Sequence, residues 1–253
     1  MVGANLAGGL GNYMFQIAAA QALAWDLGVE AVFDFNLASQ VHRNIRSYQD
    51  NIFRYVKEVV NPRFTTRYSE PNFGYNELPR VDGQYLIGYF QSDKYFKHHK
   101  EAIGNMFMRE VAEEVLRNPH ILDFPNSCAI HVRRGDYIKL ASHHPPLTMN
   151  YYNAGMALAN STQYLIFSDD MEWCKANFVG EQYTFIEGNS DYIDMYLMSL
   201  CKEAIIANSS FSWWGAWLGF DQEQVIAPKK WFGPAKGNII TKDMIPEEWL
   251  LID

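Results

Sequence analysis

The segment Ala129–Ile138 reads AIHVRRGDYI, and within it an apolar run passes directly into charged residues. Its first four positions have the character of a buried strand, and two arginines, a glycine and an aspartate follow. In an open α/β sheet, ligands bind outside the carboxyl ends of the strands. The sequence therefore predicts that Arg133 and Arg134 face a ligand site, where an arginine fork matches phosphate oxygens in shape and charge.

A second interpretation of the same residues stays open. Arg134 and Asp136 have the spacing of a surface ion pair that closes a turn at Gly135. Such a pair contributes only about 0 to 1 kcal/mol to stability. The segment alone does not separate phosphate binding from turn closure.

The residues after Ser127 alternate short apolar runs with helix-like segments, which predicts a parallel sheet flanked by helices. Three of the predicted strands end in polar residues: Arg133-Arg134, Ser168–Asp170 and Asn208–Ser210. Since the carboxyl ends of parallel strands share one edge of a sheet, we expect the three groups to converge. Convergence is stronger evidence for a ligand site than any one group.

Together the three groups have the chemistry of a nucleoside diphosphate site. Guanidinium groups hold phosphates, and a serine-rich helix entry adds hydroxyl and backbone N–H donors. Asp169 or Asp170 accepts hydrogen bonds from a ribose or base edge, or else caps the following helix. Glycoside hydrolysis is disfavoured because adjacent residues on a strand point to opposite faces. The arginines neutralise phosphate without Mg²⁺, and no further carboxylate cluster accompanies the aspartates.

A glycine-rich segment near the N-terminus is a second candidate for anion contact. Gly8, Gly9 and Gly11 predict a tight loop before an apolar helix, with Asn12 as its cap. Backbone N–H groups at such a helix entry approach an anion closely. The alternative is a close-packed turn between a strand and a helix.

The chain of 253 residues is long enough for one large α/β domain or two smaller ones. Pro119–Asn126 has the composition of a connection between domains. We therefore predict an N-terminal domain over residues 1–125 and a C-terminal domain over residues 126–253.

Composition excludes several classes of function. A formal net charge of -8 argues against binding to nucleic acid or to an anionic membrane surface. The 3 cysteines are odd in number, which fits reduced thiols rather than a disulfide framework. There is no secretory signal pattern and no apolar run approaching the ~20 residues of a membrane span. We expect a cytoplasmic protein, and peripheral contact with the inner membrane stays compatible with this.

Four motifs carry a resemblance to a known family. They are GGLGN followed by MFQ at 8–16, HVRRGDY at 131–137, FSDD at 167–170 and ANSSFSWWGAWLG at 207–219. In this order the chain resembles the α-1,2-fucosyltransferases of glycosyltransferase family 11. The resemblance implies a GT-B-like α/β fold, with two Rossmann-like halves and a donor-binding cleft between them. It also implies inverting transfer of L-fucose from GDP-β-L-fucose to the 2-hydroxyl of a terminal galactose, in glycan or polysaccharide synthesis and without a metal cofactor.

The resemblance also implies roles for individual residues. Arg133 would bind the β-phosphate, with Arg134 assisting or pairing with Asp136. His131 would reach the nucleotide or serve as a buried structural residue, and His131, Asp136 and an acidic residue of the first half are the candidates for the general base. The remaining donor-binding candidates are Gly9, Gly11, Asn12, Asp169, Asp170, Ser209, Ser210, Phe211 and Ser212.

Some positions depart from the family pattern. Tyr13 stands where glutamine is common, Ile17 where tyrosine is common, and Glu203 where histidine often follows Cys-Lys. These departures and a short N-terminal half leave the acceptor open. Two alternatives follow: a nucleotide-sugar-binding protein without turnover, and a transferase that uses another nucleotide sugar.

Overall fold

The computed structural model of this protein describes residues 1–38, 44–116, 126–237 and 239–253. The chain divides into two compact units: Met1–Glu113 with Ile240–Pro246, and Glu114–Ile239 with Glu247–Asp253. The predicted domain boundary after residue 125 falls at segment 117–125, which lies outside the described residues. Both units combine a parallel sheet with helices, so the predicted α/β class is confirmed.

The first unit contains, in its described part, a three-stranded parallel sheet of order β1-β3-β2. Its elements are β1 (Gly3–Ala4), α1 (Leu10–Leu27), β2 (Thr66–Ser69), β3 (Gln84–Ile87) and α2 (Lys100–Leu116). Two isolated bridges accompany this sheet, in which Ala31 pairs with Val2 and Phe33 pairs with Glu58.

Helix α1 is buried on nearly all sides, as its run of alanines and large apolar residues predicts. It ends at Leu27 and is capped by Gly28, whose left-handed φ of 66° lets its backbone N–H bond to Ala24 O. The buried Gln16 fixes the start of the helix, because its amide accepts from Ala7 N and donates to Gly88 O. The glycine loop is therefore held against the chain that leaves β3.

The second unit contains, within the described residues, a six-stranded parallel sheet of order β6-β5-β4-β7-β8-β9. Its strands are β4 (Ser127–Val132), β5 (Gln163–Ser168), β6 (Tyr183–Phe185), β7 (Glu203–Ile205), β8 (Gln224–Pro228) and β9 (Leu250–Ile252). Strand β4 is buried along its whole length. From β4 the chain builds outward to β6 on one side, and from β7 to β9 on the other. The strand order therefore reverses between β4 and β7, which makes this pair the switch point where open α/β sheets bind ligands.

Four helices cover this sheet in the described part of the chain: α3 (Met149–Leu158), α4 (Met171–Asn177), α5 (Asp191–Ser199) and α6 (Ser210–Trp217). Cys128, Ile130 and Val132 of β4 pack in the core with Tyr152 of α3 and Ile205 of β7. This packing fixes the carboxyl end of β4, from which the charged segment leaves. No helix in the described ranges has the length and apolar character needed to cross a membrane.

Helix α6 holds a tryptophan cluster that anchors the other side of the switch point. Trp213 and Trp217 stack with their ring centroids 5.9 Å apart, and Trp214 lies edge-on to Trp213. All three indoles are buried. The first turn of α6 is therefore held rigidly beside the end of β7.

Candidate functional site

Arg133 lies directly after β4 and is held by two carboxylates from different loops. Its Nη2 donates to Asp136 Oδ1 at 2.5 Å, and its Nη1 lies 3.0 Å from Asp169 Oδ2. The guanidinium also lies over the Tyr137 ring, 5.2 Å from its centroid. The side chain stays 30% exposed, so its orientation is fixed while it remains open to a ligand.

Arg134 pairs with Asp170 and not with Asp136. The ion pair between Arg134 and Asp136, one of the two interpretations of the sequence, is not formed, because Arg133 binds Asp136 and Arg134 Nε donates to Asp170 Oδ2 at 3.0 Å. The backbone N–H of Arg134 donates to Asp169 Oδ1 at 2.8 Å. Its guanidinium lies over Trp173, 4.2 Å from the ring centroid. Both arginines are therefore oriented by the loop that follows β5.

Gly135 explains how Asp169 comes so close to the arginines. A Cβ atom at this position would lie 2.5 Å from Asp169 Oδ2, so any larger residue would displace the carboxylate. The glycine is required here for close approach.

The helix-capping interpretation applies to Asp170. Its Oδ1 accepts from Trp173 N at 3.2 Å at the start of α4, while its other oxygen holds Arg134. Asp169 does not cap the helix, and both of its oxygens face the arginine segment. The two adjacent aspartates thus have separate tasks, and neither has the geometry of a paired acid and base.

The serine-rich segment after β7 forms the start of α6. Ser209 is the N-cap, and its Oγ accepts from Phe211 N at 3.3 Å. Ser210 begins the helix and is half-buried. Ser212 is fully buried and donates to Ala207 O and Ser209 O, which removes its hydroxyl from ligand contact and corrects its expected place in the phosphate grip.

Tyr137 joins the arginine segment to the serine segment. Its hydroxyl donates to Asn208 O at 3.0 Å. Burial raises the pKa of Tyr137 to about 12, so the phenol stays protonated and keeps donating. The structure therefore brings together the ends of β4, β5 and β7.

His131 lies on β4 with its ring against Phe211, at a centroid distance of 5.2 Å. Burial, helped by the Arg133 charge, lowers the pKa of His131 to about 3. Its side chain is enclosed, and Nδ1 has no hydrogen-bond partner among the described residues. An enclosed imidazole of such weak basicity is a poor general base, which favours the structural interpretation over the catalytic one.

Three site candidates belong to the first unit. Gly9 is the N-cap of α1 in extended conformation, and Gly11 is buried in the first helical turn. Asn12 was expected to cap the helix, which is wrong because the helix begins at Leu10. Asn12 instead accepts from Gln91 Nε2 at 2.8 Å.

Several residues around the site were not singled out by the sequence analysis. His144 stacks on Tyr137 at a centroid distance of 4.9 Å, and Lys236 Nζ lies 3.1 Å from His144 Nε2. The segment His143–Pro146, with two histidines and two prolines, has the composition of a loop. Nothing in the sequence connects Lys236 to this loop.

Glu203, where the sequence departs from the family pattern, lies away from the arginine and serine segments. Glu203 begins β7, at the opposite end of the strand from Asn208, and its carboxylate accepts from Asn160 N and Ser161 N. This residue therefore stabilises the amino-terminal edge of the sheet and not the candidate site.

Comparison with known proteins agrees with this architecture. Residues 1–253 match the family described as Glycosyl transferase family 11. An α-1,2-colitosyltransferase of Escherichia coli is 33% identical, over 100% of this chain and 99% of that protein. A galactoside α-(1,2)-fucosyltransferase 2 of Hylobates lar is 27% identical, over 85% of this chain and 68% of that protein.

The fold is shared with solved fucosyltransferase structures. The fucosyltransferase NodZ from Bradyrhizobium superposes with a TM-score of 0.53 at 13% identity, over 85% of this chain and 91% of that chain. This likeness confirms the predicted GT-B-like fold class. The match along all 253 residues shows that the chain belongs to glycosyl transferase family 11.

Proposed function

We propose that this glycosyltransferase moves L-fucose from GDP-β-L-fucose to the 2-hydroxyl of a terminal galactoside, with inversion at the sugar carbon. The observation that carries the proposal is the fixed Arg133 guanidinium at the switch point, beside the start of α6. A diphosphate needs such oriented cations together with backbone N–H donors at a helix entry. The relatives support the linkage, since the two named above are both α-1,2-transferases.

Arg133 acts on the leaving group in this proposal. As the bond between the sugar carbon and the phosphate oxygen breaks, negative charge develops on the β-phosphate of GDP. Asp169 holds Nη1 of the guanidinium, so the group is already oriented when that charge appears. A fixed donor that binds the transition state more tightly than the ground state accelerates the step.

Asp136 is the proposed general base. Its side chain is 38% exposed and accepts a hydrogen bond from Arg133. A diphosphate that takes over the Arg133 fork would release this carboxylate beside the reacting carbon. The acceptor hydroxyl then forms its bond to that carbon, its proton passes to Asp136, and GDP leaves.

No metal ion is required in this proposal, because the arginines supply the positive charge at the diphosphate. We expect full activity in the presence of EDTA. This expectation rests on the charged side chains at the site, where each of Asp136, Asp169 and Asp170 is paired with a guanidinium group.

A second candidate concerns the donor sugar. A relative at 33% identity is named for transfer of colitose, which is fucose without its 3-hydroxyl group. In this hypothesis both donors carry the same nucleotide, and both transfers form an α-1,2 linkage. The two sugars differ at one position of the ring. The same diphosphate chemistry serves either donor.

A donor and acceptor screen tests the proposal. The protein is incubated with lactose and either GDP-fucose or GDP-linked colitose, and products are identified by mass spectrometry and NMR of the linkage. α-1,2-Fucosyllactose with release of GDP supports fucosyl transfer. Preferential use of colitose assigns the second candidate, and binding of GDP-fucose without product on a panel of galactosides favours a binding protein without turnover.

A further inference from the structure

The loop after β8 brings a lysine to the same edge of the sheet as the arginine segment. Asn208 Nδ2 donates to Trp231 O at 3.0 Å, which ties this loop to the end of β7. Gly233 N donates to His143 O at 2.8 Å, which ties the loop to the segment after Tyr137. The short turn Pro234–Lys236 follows, so the position of Lys236 is set by contacts on both sides.

Lys236 is held by an unusual neutral partner. Its Nζ lies 3.1 Å from His144 Nε2 and 4.9 Å from the centroid of the Phe232 ring. An ammonium group only donates, so His144 Nε2 must accept and the ring proton must sit on Nδ1. Burial, together with the Lys236 charge, lowers the pKa of His144 to about 4 and keeps the ring neutral. Among the described residues, no carboxylate forms an ion pair with Lys236.

The charged side chains around Arg133 have a net negative charge. Arg133 and Arg134 face the three carboxylates of Asp136, Asp169 and Asp170. A diphosphate adds at least two further negative charges, which these paired arginines alone do not offset. The half-buried Lys236 is a cation whose charge no carboxylate of the described residues compensates.

Direct contacts connect this lysine to the site. His144 stacks on Tyr137 with a centroid distance of 4.9 Å, and the Arg133 guanidinium lies 5.2 Å from the centroid of the same Tyr137 ring. The Tyr137 hydroxyl in turn binds Asn208 O at the start of the serine segment. Lys236 is thus connected to Tyr137 through His144, and Arg133 contacts the same tyrosine directly.

We propose that Lys236 is a donor-binding residue that contacts the diphosphate of the nucleotide sugar, and that His144 is the positioning residue that aims its ammonium group. The inference rests on the proposed function, because it takes the anion to be a nucleoside diphosphate. The lysine supplies the charge that the arginine segment lacks, and the imidazole orients it without neutralising it.

Calorimetric titration of the full chain with GDP and with guanosine tests the lysine. Lys236→Met is expected to weaken GDP binding by about 10- to 100-fold, the range for loss of one charge-assisted contact, and to leave guanosine binding unchanged. Lys229→Met is the matched control, since Lys229 is an exposed lysine that pairs with Asp253 at 3.3 Å. A folded Lys236→Met protein with wild-type GDP affinity overturns the inference, and so does equal weakening of GDP and guanosine.

Two variants test the positioning role of His144. His144→Phe keeps the stack on Tyr137 but removes the acceptor for Lys236, whereas His144→Gln restores an acceptor oxygen. The expected result is weaker GDP binding in His144→Phe, with recovery toward wild type in His144→Gln. Equal affinities in the two variants, both with an unchanged melting temperature, overturn this role.

A nucleotide panel separates failure of this inference from failure of the proposed function. The wild-type protein and Lys236→Met are both titrated with GDP, UDP and CDP. A wild type that prefers UDP or CDP contradicts the guanine nucleotide donor, yet selective loss of that diphosphate in Lys236→Met still supports the lysine. A wild type that binds none of the three overturns both.

Discussion

Replacing Arg133 by alanine removes the group on which the proposed chemistry depends. In the structure this side chain joins Asp136 and Asp169 and presents its guanidinium at the end of β4. Loss of one preorganised donor to a developing anion lowers turnover by about 10²- to 10³-fold, or about 2.7 to 4 kcal/mol in activation free energy. The expected loss of stability is small, about 1 kcal/mol or less, because the ion pairs are partly exposed and screened by solvent.

The assay for Arg133→Ala compares kcat/KM for donor and acceptor with the melting temperature of the same preparation. Arg133→Lys keeps the charge but cannot reach both carboxylates with a planar fork, so its activity should fall between alanine and wild type. Arg54→Ala is a matched control, since Arg54 is an exposed arginine that pairs with Glu110 at 3.4 Å in the first unit. A folded Arg133→Ala enzyme with kcat/KM within about threefold of wild type would refute the reasoning.

Three further predictions follow from the same geometry. Gly135→Ala places a Cβ 2.5 Å from Asp169 Oδ2, and the displaced carboxylate no longer holds Arg133. We expect kcat/KM to fall by about tenfold or more. Unchanged kinetics would show that the close approach is not needed. The folded pKa of His131 is about 3, so the unfolded chain binds more protons below the ordinary value of 6.5, and stability falls as the pH drops. Urea unfolding at pH 7 and pH 5 should show a loss from His131 of about 2 kcal/mol, which is absent in His131→Phe; parallel losses in both proteins would contradict the burial of a neutral ring. Activity should be unchanged after EDTA treatment, and recovery only on adding a divalent cation would oppose a diphosphate site built from arginines.

The fold of the second unit was largely predictable because its strands carry strong local signals. Ala129–Val132 was predicted as a buried strand and lies within β4 (Ser127–Val132), since a strand buried on both faces of a parallel sheet is a continuous apolar run. Two strands were missed for the opposite reason. Thr66–Ser69 and Leu250–Ile252 lie at the edges of their sheets and expose most of their residues. The first contains no apolar run, and the apolar run of the second is only 3 residues long, which is too short to indicate a strand.

The candidate site was predictable in its location but not in its contacts. Polar residues after three parallel strands must meet at one edge, and they do so around Arg133. Which carboxylate binds which arginine depends on the backbone at Gly135. The sequence left open a pair between Arg134 and Asp136, and the structure instead pairs Arg133 with Asp136. Lys236 was invisible because its approach to His144 depends on the path of a loop held by contacts distant along the chain.

A structure of the protein with bound GDP tests the central claim most directly. The account predicts that the β-phosphate lies within about 3 Å of the Arg133 guanidinium and of backbone N–H groups in the first turn of α6. GDP bound at another edge of the sheet, with Arg133 still paired to both Asp136 and Asp169, would contradict it.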